Sequence, residues 1–103
     1  MKILLTTERE KEVLNNVIEV IKKFLNPEKI YIFGSRVKGT AFYYSDFDIG
    51  IEANTPDILE LEKLREALDK ISGLYSVDIV FLKDAETDFA NMVRKTGVVI
   101  YEG

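Results

Sequence analysis

Apolar residues recur every three to four positions in the first quarter of the chain. Thr7 and Glu10 have the spacing of a capping box, which typically opens a helix. Asn26 precedes Pro27, and the residue ahead of a proline is pushed out of the helical region. We therefore expect one helix between these signals, and its apolar stripe consists of Leu14, Val17, Ile18, Ile21 and Leu25.

Four shorter segments have the pattern of strands. Residues 30–33 form an apolar run bounded by Gly34, as buried strands often do. Residues 46–52 alternate between polar and apolar side chains, which is typical of a strand with one buried face. Residues 77–82 and 98–101 are predicted to complete the sheet.

Two further helices are predicted between these strands. Pro56 suits the first position of one helix, and Gly73 suits its end. The inner stripe of that helix consists of Leu61, Leu64, Leu68 and Ile71. A shorter helix covers about residues 86–95 and stops before Gly97. The order of elements predicts an α/β (α+β) fold with a small mixed sheet and helices packed against it.

The amino-acid composition limits the kinds of chemistry and the kinds of partner that the chain can have. The 103 residues suffice for one domain, residues 1–103, with 47% hydrophobic and 31% charged residues. We expect a cytoplasmic protein, because neither a membrane-spanning run nor a signal peptide is found. The chain has no Cys and no His, so thiolate chemistry, an imidazole base and His or Cys metal ligands are excluded. A net charge of −4 argues against direct nucleic-acid binding.

The candidate chemistry concentrates in residues 34–50. Because residues two apart on a strand point to the same side, Asp46 and Asp48 project together. Asp78 interrupts the third strand, and three carboxylates converge if that strand lies beside residues 46–52. A divalent cation would relieve their repulsion, and carboxylate oxygens favour Mg²⁺ and Mn²⁺. Taken singly, Asp46 is equally typical of a strand start and Asp78 of an edge strand.

A small basic turn precedes the two aspartates. Gly34 lets the backbone approach a ligand, and a helix starting at Ser35 would direct free N–H groups at an anion. Arg36 and Lys38 add positive charge for phosphates. Arg36 has a second interpretation, in which it braces the loop by bonding carbonyls or a carboxylate, and Lys38 could form a surface ion pair. We expect Glu52 to be a solvated strand-end residue rather than a metal ligand.

At these residues the chain resembles the minimal nucleotidyltransferases, a branch of the DNA polymerase β-like nucleotidyltransferase superfamily. The shared pattern is a Gly-Ser turn with a basic residue and a glycine, followed by Asp-x-Asp and a later third Asp. It occurs here as residues 34–39, residues 45–48 and Asp78. Lys38 stands where the family frequently has Arg. The resemblance covers nearly the whole chain, and the combination of motifs is specific.

The resemblance implies a role for each site residue. Asp46 and Asp48 would bind both of two Mg²⁺ ions, for which Mn²⁺ could substitute. Asp78 would bind the catalytic ion and help to activate the acceptor hydroxyl. Gly34 and Ser35 would contact the nucleotide phosphates. Two such ions are the usual arrangement for in-line displacement at phosphorus.

The resemblance also implies a reaction and a partner. We expect transfer of a nucleoside monophosphate, AMP from ATP, to a protein hydroxyl. Minimal nucleotidyltransferases are similar to antitoxins whose partners are HEPN-type toxins, and the family can transfer AMP to a tyrosine of the toxin. One alternative is a non-catalytic antitoxin that neutralises its partner by contact. Another is a nucleotidyltransferase that acts on a small molecule such as an aminoglycoside.

Overall fold

The structure of the protein is a computed structural model, which describes residues 7–34, 36 and 46–103. The three helices and four strands predicted above are present, and some boundaries shift by a few residues. The helix considered at Ser35 lies outside the described residues. The possible edge strand at residues 3–5 lies outside the described residues. In chain order the elements are α1 (Glu8–Phe24), β1 (Lys29–Phe33), β2 (Phe47–Ile51), α2 (Ile58–Ser72), β3 (Val77–Phe81), α3 (Thr87–Thr96) and β4 (Val98–Glu102).

Side-chain caps explain where the two longer helices begin. The hydroxyl oxygen of Thr7 accepts a hydrogen bond from the Glu10 N–H at 3.1 Å, which confirms the predicted capping box. The carboxylate of Asp57 accepts from the Glu60 N–H at 2.9 Å and caps α2. Pro56 therefore precedes the cap, and its predicted place at the first helical position is wrong. No helix in the described ranges is long and apolar enough to cross a membrane.

Among the described strands, the sheet order is β3-β2-β1-β4. Strand β1 runs antiparallel to β2 and to β4, whereas β2 and β3 are parallel and α2 connects them. In the parallel pair, Asp48 lies directly opposite Asp78 and Gly50 lies opposite Val80. The prediction that these two strands lie side by side is confirmed.

Helices cover both faces of the sheet. Helices α1 and α2 pack on one face, where Phe47, Ile49 and Ile51 are fully buried. Helix α3 packs on the other face, and a Cβ atom built at Gly50 would lie only 3.0 Å from Cγ1 of Val93. Alternate residues of β2 point to opposite faces. Asp48 therefore lies on the face of the sheet that α3 covers, and the main core lies on the opposite face.

Candidate active site

The site begins with three carboxylates on two neighbouring strands. Asp48 is half-buried in β2, Asp78 is exposed in β3, and Asp46 is exposed just before β2. Burial raises the pKa of the Asp48 carboxyl, and the negative charges of Asp78 and Asp46 raise that pKa further. The fold therefore brings both other aspartates within electrostatic reach of Asp48. A positive ligand at this edge would offset the accumulated negative charge.

The chemistry of this donor set suits a divalent cation. Carboxylate oxygens from Asp46, Asp48 and Asp78 are the ligands that hard cations such as Mg²⁺ prefer. In the part of the chain that the structure describes, however, no three acidic side chains already form a group that could hold a metal ion. The register of β2 and β3 places Asp48 beside Asp78. Metal binding by these three carboxylates therefore stays a prediction.

The backbone turn at Gly34 touches the Asp48 carboxylate. Gly34 has a φ of +78°, a conformation that other residues rarely adopt. A Cβ atom added there would lie 3.0 Å from Cγ of Asp48 and closer still to Oδ2. Glycine is therefore required at position 34, because the backbone angle disfavours other residues and because Asp48 leaves no space for a Cβ atom. The predicted contact of Gly34 with phosphates stays a prediction, and Ser35 and Lys38 lie outside the described residues.

The structure places Arg36 in the interior. Its side chain is 1% exposed and forms an ion pair with Glu10. The guanidinium carbon lies 4.1 Å from the ring centroid of Phe47 and 5.7 Å from that of Tyr75. Phe47 points to the α1 and α2 side of the sheet, away from Asp48. Arg36 therefore braces the turn through the Glu10 carboxylate, in line with its second interpretation, and its phosphate contact stays a prediction.

Glu10 has a second role that the sequence analysis missed. Its carboxylate accepts a hydrogen bond from the Thr7 hydroxyl at 3.2 Å while it pairs with Arg36. Glu10 is 2% exposed. Its buried carboxylate therefore connects the cap of α1, through Thr7, to the turn after β1, through Arg36. The available signal was position, since Glu10 lies four residues before Leu14 and therefore on the apolar stripe of the helix.

Glu52 binds α3 rather than solvent. Its two carboxylate oxygens accept hydrogen bonds from Nε and Nη2 of Arg94 at 2.7 and 2.8 Å. These bonds lower the pKa of Glu52, and its side chain is only 12% exposed. The expectation of a solvated Glu52 is wrong. The pair fixes α3 over the face of the sheet that also carries Asp48.

Comparison with known proteins identifies the family. Residues 15–103 match the family model described as "Polymerase beta, Nucleotidyltransferase". The protein named "Probable protein adenylyltransferase MntA" from Haemophilus influenzae is 36% identical over 88 residues, which are 84% of this chain and 77% of the relative. The chain belongs to the polymerase beta nucleotidyltransferase family, and it is a nucleotidyltransferase, as the sequence motifs implied.

Solved structures share the fold. A crystal structure of a toxin–antitoxin with AMP-PNP matches with a TM-score of 0.72 and 28% identity, over 86% of this chain and 73% of the other. A complex of a tri-AMPylated Shewanella oneidensis HEPN toxin with an MNT antitoxin matches with a TM-score of 0.68 and 24% identity, over 92% and 73% of the two chains. The latter likeness shows the fold alone. The predicted α/β nucleotidyltransferase fold is confirmed.

Proposed function

We propose that this chain transfers AMP from ATP to a hydroxyl group of a HEPN-type partner protein, as an antitoxin, and that it does so with two Mg²⁺ ions. The observation that carries the proposal is the strand register that sets Asp48 opposite Asp78, directly beside the Gly34 turn. Carboxylates next to a glycine turn suit a nucleotide and its cations. The composition favours the cytoplasm as the place of action.

Each aspartate has a proposed role. Asp46 and Asp48 would bind both cations, and Asp78 would bind one of them beside the acceptor hydroxyl. Bound Mg²⁺ would supply charge neutralisation at the triphosphate and a lower pKa of the attacking hydroxyl. Asp48 faces the negative charges of Asp78 and Asp46, which is the environment that a cation would relieve. Mn²⁺ has similar ligand preferences and is expected to substitute for Mg²⁺.

The proposed reaction is an in-line displacement at the α-phosphorus of ATP. The acceptor oxygen forms a bond to that phosphorus, and the bond from phosphorus to the oxygen that bridges to the β-phosphate breaks. Pyrophosphate leaves, and the hydroxyl proton passes to the Asp78 carboxylate and from there to water. Gly34 lets its backbone approach the nucleotide, and Ser35 and Lys38 are expected to contact the phosphates.

The partner assignment is supported by similarity. The Haemophilus influenzae relative carries the name of a protein adenylyltransferase, and one structural match is a complex of an MNT antitoxin with an AMPylated HEPN toxin. The second candidate function is neutralisation by contact without catalysis.

The test follows the α-phosphate and the γ-phosphate of ATP separately. The chain is incubated with Mg²⁺, a HEPN-type partner and ATP labelled at either the α- or the γ-phosphate. We expect α-label on the partner and γ-label in pyrophosphate. Asp48→Asn should abolish labelling of the partner, and Glu66→Gln, which removes an exposed carboxylate of α2, should not. Neutralisation of the partner that persists without any label would favour the contact mechanism.

A further inference from the structure

A groove lies at the free edge of the sheet, next to the candidate site. In the described part of the chain, β3 is an outer strand and pairs only with β2. An open groove of about 250 Å³ separates β3 from α2, and its lining residues are Arg65, Leu68, Asp69, Val77, Asp78 and Ile79. The groove therefore includes Asp78, which belongs to the carboxylate set described above.

The direction of the backbone groups follows from the parallel ladder. The Ser76 carbonyl accepts a hydrogen bond from the Phe47 N–H at 2.8 Å, and the Leu82 N–H donates to the Ile51 carbonyl at 2.9 Å. In a parallel pair, alternate residues of a strand bond to the same neighbour. The backbone groups of residues 76, 78, 80 and 82 therefore face β2. Those of Val77 and Ile79 point outward, to the edge where no described strand lies.

The side chains alternate in the opposite sense between the two faces. Val77 and Ile79 pack partly into the core beneath α2, on the groove side. Asp78 lies opposite Asp48, on the α3 side. A strand added beside β3 would place every second side chain over the groove and the intervening ones beside Asp78. One residue opposite Asp78 would then have both of its chain neighbours at the groove.

We infer that the free edge of β3 binds an extended segment of the HEPN-type partner and presents its acceptor hydroxyl to Asp78. The inference rests on the proposed function and names how its acceptor is held. The segment would carry a hydroxyl residue between two apolar residues. The apolar neighbours would pack over Val77 and Ile79, and the backbone would bond to the outward groups of these residues. Asp78 both lines the groove and belongs to the carboxylate set of the candidate site, which favours this occupant.

Residue-resolved amide hydrogen exchange of the full chain tests the edge directly. Exchange is measured by NMR with and without a HEPN-type partner protein, in the absence of nucleotide. The amides of Val77 and Ile79 should slow by about tenfold or more when the partner binds. The amides of Asp78 and Val80 already face β2 and should change less. Binding of the partner without this alternating protection would overturn the inference.

A variant removes one outward donor. Val77→Pro deletes an N–H that points away from β2, at the first residue of a strand, where proline is tolerated. Loss of one interfacial hydrogen bond should raise the Kd for the partner roughly 2- to 10-fold. Val77→Ile keeps the N–H and a branched apolar side chain and should bind as the wild type does. Binding of AMP-PNP with Mg²⁺ should be equal in all three proteins and reports that the fold is intact.

The outcomes separate this inference from the proposed function. Labelling of the partner from ATP without protection of Val77 and Ile79 would leave the proposed function standing and overturn the edge inference. Alternating protection without labelling would support binding of the partner at the edge of β3 and would contradict the proposed transfer of AMP. Slowing of these amides as the chain itself is concentrated, without a partner, would assign the edge to a second copy and would also overturn the inference.

Discussion

Arg36 and Glu10 form an ion pair inside the protein, and it joins the turn after β1 to the first turn of α1. The Arg36 guanidinium also lies over the ring of Phe47. Because Phe47 stands between Asp46 and Asp48 in the sequence, the pair supports these two carboxylates from the opposite side of the sheet. The arginine of the Gly-Ser turn therefore supports the site through its contacts with Glu10 and Phe47.

Glu10→Ala tests the energetic weight of this pair. Glu10 supplies a buried carboxylate to the Arg36 guanidinium, so its removal should lower the free energy of unfolding by about 3–5 kcal/mol. Glu12→Ala is the matched control, because it breaks only the exposed pair with Arg9 and should cost less than about 1 kcal/mol. Urea unfolding measures both. Combining Glu10→Ala with Arg36→Met should cost less than the two single changes added together, and strict additivity would contradict the pairing.

Gly34→Ala tests the contact of the turn with Asp48. The new methyl group would collide with the Asp48 carboxylate, and a displaced catalytic group can cost about 100-fold in rate. Gly73→Ala is the control, because its φ is +63° but its Cβ atom would meet only a side-chain nitrogen of Arg9 at 3.1 Å. Both variants should lose stability through backbone strain, and only Gly34→Ala should lose transfer activity. Thermal unfolding and a transfer assay separate the two effects.

Asp78→Asn should stabilise the chain and inactivate it. Burial and like charges raise the pKa of Asp48, so the ionised Asp48 disfavours folding at neutral pH. Loss of the Asp78 charge should add a few tenths of a kcal/mol, or roughly 1–4 °C in Tm at pH 7 with EDTA. Transfer should fall roughly 10²- to 10⁴-fold. Glu66→Gln controls for the change in net charge, and equal Tm shifts in the two variants would contradict the repulsion.

The pair of Glu52 with Arg94 predicts a pH dependence. Hydrogen bonds from Arg94 lower the pKa of Glu52 in the folded chain. A carboxyl group with a lowered pKa stabilises the fold above its unfolded-state pKa, and this contribution is lost as the pH falls through the folded-state pKa. The stability difference between wild type and Glu52→Gln should be full at neutral pH and shrink below about pH 4.5. Urea unfolding across this range measures it, and a constant difference would argue against the pair.

Local signals predicted much of the fold. The capping box at Thr7, the alternation through β2 and the glycine at position 73 each act within a few residues, and the structure confirms them. The alternation in β2 also predicted that Phe47 and Asp48 point to opposite faces. Motif spacing led to the nucleotidyltransferase family, because the turn and the carboxylates recur at set distances along the chain.

Long-range pairing could not be predicted in the same way. Arg36 and Glu10 are 26 positions apart, and Arg94 and Glu52 are 42 apart. In each case a charged side chain is held by an opposite charge on a distant element, and the sequence does not indicate which element supplies it. No periodicity along the sequence encodes such a pairing, and it depends on which helix covers which face of the sheet.

Titration of Mn²⁺ in the presence of AMP-PNP tests the central claim most directly, because the signal of free Mn²⁺ counts bound ions without requiring turnover. The wild-type chain should bind two ions per nucleotide. Asp48→Asn should lose this binding or weaken it strongly, and Glu66→Gln should retain both ions. Equal stoichiometry and affinity in the wild-type and Asp48→Asn chains would contradict the account of Asp46, Asp48 and Asp78 as one cation site.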